Sequence, residues 1–254
     1  MKSGIVDFSM KIVLIPMLLA GVTFAGRKWG QNVAGGLGSL PIVAGPVLLI
    51  LSIENGNAFG ARAAQMSLAG IAATMLFLVA YARACSRAAW PLALAAVLVA
   101  WFLGIALLYL LPDFVWVATG VAVASLWLAP RAMQVTPERV ALGAAHPPEL
   151  PTRMLAGATL ALITSALGAR ICRAASGYAA LFPVVGLVAA VFSQISHGAH
   201  AARSFLFGMT RGMWSVASFC LALVLAVPRK SVVAAFVLAV GADIATHALM
   251  RPRR

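Results

Sequence analysis

The sequence predicts an all-α integral membrane protein of about nine transmembrane helices in a 4+1+4 inverted repeat. Three observations predict it: an extreme apolar composition, long apolar runs separated by short basic breaks, and an internal repeat. Hydrophobic residues are 63% of the 254 positions and charged residues 10%. A soluble domain carries about 25% charged residues. With a mean hydropathy of +0.99 the chain has too little polar surface to face water all round. The formal charge of +13 comes from 19 Lys and Arg against 6 Asp and Glu. Nearly all of these bases lie between apolar runs, where they set topology and meet anionic headgroups. Nucleic acid is therefore not an expected partner; membrane lipids are. Cys85, Cys172 and Cys220 share no close spacing, so neither a disulfide framework nor a metal site is implied.

The runs follow in order. The first, 8–25, leads straight into Gly26-Arg27-Lys28 and reads as a retained first helix rather than a cleaved leader. The second, 37–53, contains Pro41 and Pro46, and the third and fourth span 58–81 and 88–111. Pro112-Asp113 breaks the chain before a fifth run, 114–129, which carries Trp116 and Trp127 near its ends as interfacial anchors. Residues 130–152 hold five prolines and read as the one real linker. Runs six to nine span 154–169, 178–195, 204–227 and 231–250.

The repeat is the most informative feature. Pro41 in Leu40-Pro41-Ile42-Val43 matches Pro183 in Phe182-Pro183-Val184-Val185, an offset of 183 − 41 = 142. Without a gap the same offset pairs Gly26 with Gly168, Lys28 with Arg170, Gly35 with Gly177 and Ile53 with Ile195. It goes on to pair Gly56 with Gly198, Gly70 with Gly212, Phe77 with Phe219 and Arg87 with Arg229. Glycine and proline carry much of this match because they meet special backbone demands. Three parts follow: a first four-helix repeat (1–111), a linker helix with a polar loop (112–152) and a second four-helix repeat (153–254). Moving between equivalent runs crosses five helices, an odd number, so the copies face opposite ways if the fifth run spans. Inverted repeats of this kind are characteristic of secondary transporters. The bases divide unevenly. Lys2, Lys11, Arg62, Arg170, Arg173, Arg229 and Lys230 fall on one side, and the more numerous remainder, Arg211 aside, on the other. The second side is expected to be cytoplasmic, with the N-terminus periplasmic and the C-terminus cytoplasmic.

Residues Gly177-Tyr178-Ala179-Ala180-Leu181-Phe182-Pro183, then Gly198, Arg203 and Phe207-Gly208-Met209, resemble the GlpM family of small bacterial inner-membrane proteins. The first repeat matches more loosely through Gly35, Pro41 and Gly56. This resemblance covers about half the chain. It implies a bacterial inner-membrane location and an ancestral four-helix unit, now duplicated. The layout is also similar to that of drug/metabolite transporters, in which four-helix units pair antiparallel.

Several polar residues interrupt the apolar runs. Glu54 ends the Pro41/Pro46 helix in Ser52-Ile53-Glu54-Asn55-Gly56. An acid beside proline-freed carbonyls could carry a coupling proton; equally, it could sit among headgroups and end a helix. Its repeat mate is Ser196, and that of Asn55 is His197, next to Gln194. These are an asymmetric site or two polar loop entries. Arg62, Arg203 and Arg211 begin or lie within the third and eighth runs; Arg211, the deepest, could hold an anionic group or pair with Asp243 or Glu54. Asp243 and His247 are four apart on one helical face, a proton relay or a neutral interfacial pair. The expected substrate-binding set is thus Glu54, Asn55, Arg62, Gln194, His197, Arg203 and Arg211, with Glu54 and Asp243 for proton coupling.

No Gly-rich phosphate loop, nucleophile elbow or metal-ligand spacing occurs, so neither an enzyme nor a cofactor is expected. The reading that results is a secondary transporter or lipid flippase, coupled to protons, for a small or phosphate-bearing anionic substrate. The alternative is a non-transporting accessory membrane protein of an envelope-polymer or lipid pathway.

Overall fold

The computed structural model describes residues 2–42, 44–133, 151–152, 154–160, 178 and 182–250, with side chains from residue 15 onward. Every regular element among them is helical. The helices are α1 (Lys2–Trp29), α2 (Gln31–Gly38), α3 (Ala44–Asn55), α4 (Asn57–Ala84), α5 (Trp90–Leu108), α6 (Val115–Met133), α7 (Val184–Ala226) and α8 (Val232–Leu249). Five of them, α4 to α8, are long and apolar enough to cross a membrane. The polar linker after 133, most of the sixth run and the tail from 251 lie outside the described residues, as do Gly168, Arg170 and Gly177.

The second apolar run is not one span. It starts earlier, at Gln31, and is split into α2 and α3 by a non-helical turn at 39–42. Pro41 has no N–H to continue a helical ladder, so the chain restarts with Gly45 N–H donating to the Pro41 carbonyl at 2.7 Å. In the seventh run Phe182 and Pro183 are likewise non-helical, and a helix starts after Pro183, where Leu187 N–H donates to the Pro183 carbonyl at 2.7 Å.

Three glycines make sharp reversals. Gly30, Gly56 and Gly198 have φ of 91°, 86° and 82°, with ψ of 162°, 167° and 177°. Only glycine occupies that region without steric cost. The 43 residues of α7 are therefore two arms, 184–197 and 199–226, joined at Gly198. Where α3 folds back on α4, Gly60 lies against Ser52 so closely that a Cβ on Gly60 would overlap the Ser52 hydroxyl.

Helix bounds recur at the repeat offset. The joint Gly56 maps onto Gly198, the end of α4 at Ala84 onto the end of α7 at Ala226, and the start of α5 at Trp90 onto the start of α8 at Val232. Ala89 before α5 (φ −62°, ψ 155°) and Ser231 before α8 (φ −60°, ψ 149°) share one extended conformation. The end of α4 meets the chain around Gly198. Tyr81, near the end of α4, donates from its hydroxyl to Gln194 Oε1 at 2.8 Å, just before Gly198. Gln194 Nε2 donates in turn to the Cys85 and Ala88 carbonyls at 3.3 and 3.2 Å. Thus α4 finishes where the long arm of α7 begins.

The centre of the bundle is a glycine seam between α2 and α7. A Cβ on Gly35 would overlap the Phe205 carbonyl oxygen, one on Gly208 the Asn32 carbonyl oxygen, and one on Gly212 the Ser39 hydroxyl. Ser204, Gly208 and Gly212 are four apart on one face of α7, the small-residue spacing by which membrane helices bring backbones together. The outer surface is apolar: Phe102, Leu103, Val123, Val237 and Ile244 are exposed. Trp29, Trp90, Trp116 and Trp127 are exposed near helix ends. Lys28 stands over the Trp29 ring at 5.4 Å and Arg131 over Trp127 at 4.7 Å, as expected for interfacial anchors. This is the surface of a membrane protein.

Candidate functional site

Two broken helices meet in the middle of the molecule. Ser39 to Ile42 before α3, and Phe182 and Pro183 before α7 with Val184 and Val185 of its first turn, line one cavity of about 70 Å³, and Leu18, Leu37, Met209, Met213 and Val216 add to the wall. Leu40, Pro41 and Ile42 on one side are the repeat mates of Phe182, Pro183 and Val184 on the other. Irregular backbone inside a bilayer is tolerated only where it faces protein or a cavity. Both breaks satisfy that condition at the same place.

The lining is apolar. Its one polar side chain, Ser39, already donates to the Gly36 carbonyl at 2.7 Å. Behind the wall, Trp101 of α5 stacks edge-on against Phe182 at 4.9 Å. Met209 and Met213 add adaptable, unbranched side chains to the opposite wall. Hydrocarbon suits this lining better than an ion.

None of the seven residues expected from sequence to bind substrate lines this cavity. Glu54 and Asn55 are exposed at the end of α3, beside the Gly56 reversal. From Ala44 to Glu54 a helix rises about 15 Å, half a hydrocarbon core, which carries Glu54 from the depth of the break to the membrane's edge. Asn55 Nδ2 donates to its own helix at the Leu51 carbonyl, 3.2 Å away. Arg62 forms an exposed ion pair at 2.6 Å with Asp113, whose other oxygen accepts from Gln65 Nε2 at 2.8 Å. That cluster ties the start of α4 to the loop before α6.

At the opposite end of α4, Gln194 bridges α7 to the α4 terminus through the bonds described above. His197 is half-buried next to Gly198. Arg203 donates to the Met133 carbonyl at 3.2 Å, which fixes the end of α6 to α7. Arg211 is exposed on α7 with its guanidinium over the Phe207 ring at 5.1 Å. It lies two residues from both Met209 and Met213, which puts it on the helix face turned away from the cavity. The polar candidates therefore occupy the hairpin ends and an outer face, and the structure does not bring them together.

Sequence reasoning passed over Leu40, Phe182, Met209 and Met213 as wall residues, and Gln31 as a buried polar group that accepts from Ser193 Oγ at 3.4 Å. The signal for the first two was available, because they flank the paired prolines. No family model matches the chain, and no curated protein or solved structure matches it either.

Proposed function

We propose that the protein is a secondary transporter or lipid flippase whose two halves form a 4+1+4 inverted repeat around the cavity between the helix breaks. One observation carries this reading: helix bounds recur at the repeat offset, from Gly56 and Gly198 to Ala84 and Ala226, and the two proline breaks line the same cavity. Exchanging the conformations of two such halves would open the cavity first to one face and then to the other. The apolar wall favours a substrate with a hydrocarbon portion, as in a phosphate-bearing amphiphile. The GlpM resemblance fits a duplicated four-helix ancestor in a bacterial inner membrane. The accessory reading draws support from the closely packed α2–α7 seam, which suits a rigid scaffold.

The test is reconstitution of the full chain in liposomes containing a fluorescent phosphatidylglycerol, with dithionite quenching to count lipid crossing the bilayer. Transport predicts crossing above that of protein-free liposomes, blocked when Leu40→Cys and Phe182→Cys are oxidised to a disulfide across the cavity. If neither this lipid nor radiolabelled phosphate moves, the accessory reading stands. Labelling of single cysteines placed near each end should report opposite sides of the membrane. Both ends on one side would remove α6 as a span, and the inverted arrangement with it.

A further inference from the structure

Asp243 lies about 16 Å along α8 from its start, well inside a span. It is 8% exposed, and its Oδ1 has no hydrogen-bond partner. No ion pair joins it to a base among the described residues. An unpaired carboxylate at that depth is expensive, so the group must be neutralised.

The groups around it decide how. Ser215 of α7 lies within hydrogen-bonding reach, Cys220 of α7 is nearby, and His247 stands one turn further along α8. From α3, the other helix packed on α8, the one titratable side chain is Glu54, out at the Gly56 end. The Ser215 hydroxyl already donates to the Gly212 carbonyl at 2.8 Å. The Ser218 hydroxyl donates to the Ser215 and Ala242 carbonyls at 2.7 and 3.2 Å. With its proton on the Gly212 carbonyl, the Ser215 oxygen can accept, and a protonated Asp243 carboxyl can donate to it.

We infer that Asp243 is a proton-binding site inside the span, neutral in the packing seen here. Its position in the second half corresponds to Trp101 in the first, whose ring backs the cavity wall at Phe182. Protonation of Asp243 thus bears on the packing of α8 against α7, the helix that supplies Met209, Met213 and Val216 to the cavity. On release, the carboxyl O–H bond breaks and the proton passes to water at the nearer end of α8, leaving the carboxylate behind. The use of this proton in coupling rests on the transport reading; the existence of the site does not.

Infrared difference spectroscopy of the full chain in detergent tests the site. At neutral pH the wild type should show the C=O stretch of a protonated carboxyl, shifted down in D2O. That band should vanish in Asp243→Asn and persist in Glu54→Gln. Dicyclohexylcarbodiimide, which modifies protonated carboxyls in apolar surroundings, should label the α8 peptide and label it more slowly as pH rises. Absence of the band at neutral pH, or its survival in a monodisperse Asp243→Asn protein, overturns the inference. If Asp243→Asn fails to fold, an unlabelled α8 peptide in the wild type does so instead. A band present in a protein that moves no substrate would sink the transport reading and leave the proton site standing.

Discussion

The hairpin around Gly56 and the hairpin around Gly198 have nearly the same backbone and almost none of the same chemistry. Both turn on a glycine with φ above 80°, and both follow a proline break that restarts a helix through the proline's own carbonyl. Yet Ser52 faces its own helix, donating to the Leu48 carbonyl at 2.7 Å, while its mate Gln194 holds three groups at and just beyond the end of α4. Glu54 and Asn55 are exposed, where the other copy carries Ser196 and His197. Further along, buried Trp101 is replaced by buried Asp243. The two hairpins share backbone geometry that only glycine and proline can meet, and their side chains, bound by no such constraint, differ. The outcome is one frame with different polar ties: an exposed Arg62–Asp113 cluster at the Gly56 end and the Gln194 latch at the Gly198 end.

The sharpest way to break this comparison is at the seam that α7 presents to α2. Gly212→Ile forces a branched side chain into the Ser39 hydroxyl and should cost about 3 kcal/mol or prevent folding. Gly21→Ala, with nothing within 4 Å, should change nothing. Thermal unfolding in detergent would separate them; equal melting temperatures would dissolve the seam.

The two joints come next. Gly56→Ala and Gly198→Ala should each cost about 1–3 kcal/mol, because both glycines sit where a Cβ is strained and neither is crowded. Their near-equality is the informative result, since a large difference would mean that the halves do not share one hinge.

The latch sharpens the contrast. Gln194→Leu strands the Tyr81 hydroxyl and loses the donors to two carbonyls, a loss of about 1–3 kcal/mol. Ser52→Ala gives up one bond to its own helix and should cost about 0.5 kcal/mol. Hydrogen exchange at the end of α4 should speed up in the first variant and stay unchanged in the second. The smallest effect belongs to Arg62→Ala, whose exposed pair with Asp113 should contribute less than about 1 kcal/mol, further reduced by salt.

Much of the frame was legible without coordinates. Long apolar runs gave α4, α5, α6 and α8 to within a few residues, since length and hydropathy are local properties. Gly56 and Gly198 were found through their shared offset, and their positive φ explains why a glycine stands at each. The second run reads as one helix distorted at Pro41 and Pro46, whereas it is two helices divided at Pro41, because apolar residues persist across the break.

The candidate site was far less legible. Glu54, Arg62, His197 and Arg211 drew attention as polar residues in apolar surroundings, but polarity along a chain does not report depth. Glu54 lies at the membrane's edge because ten helical residues carry it about 15 Å from the break. The cavity wall of Leu40, Phe182, Met209 and Met213 is chemically indistinguishable from ordinary core in the sequence. Composition and run length by themselves determined that the chain is helical and built of apolar membrane-length segments, because each of those follows from local pattern. Which helix backbones touch, where the two breaks meet and that Asp243 is buried against α7 were decided only by tertiary packing, which joins residues more than a hundred positions apart.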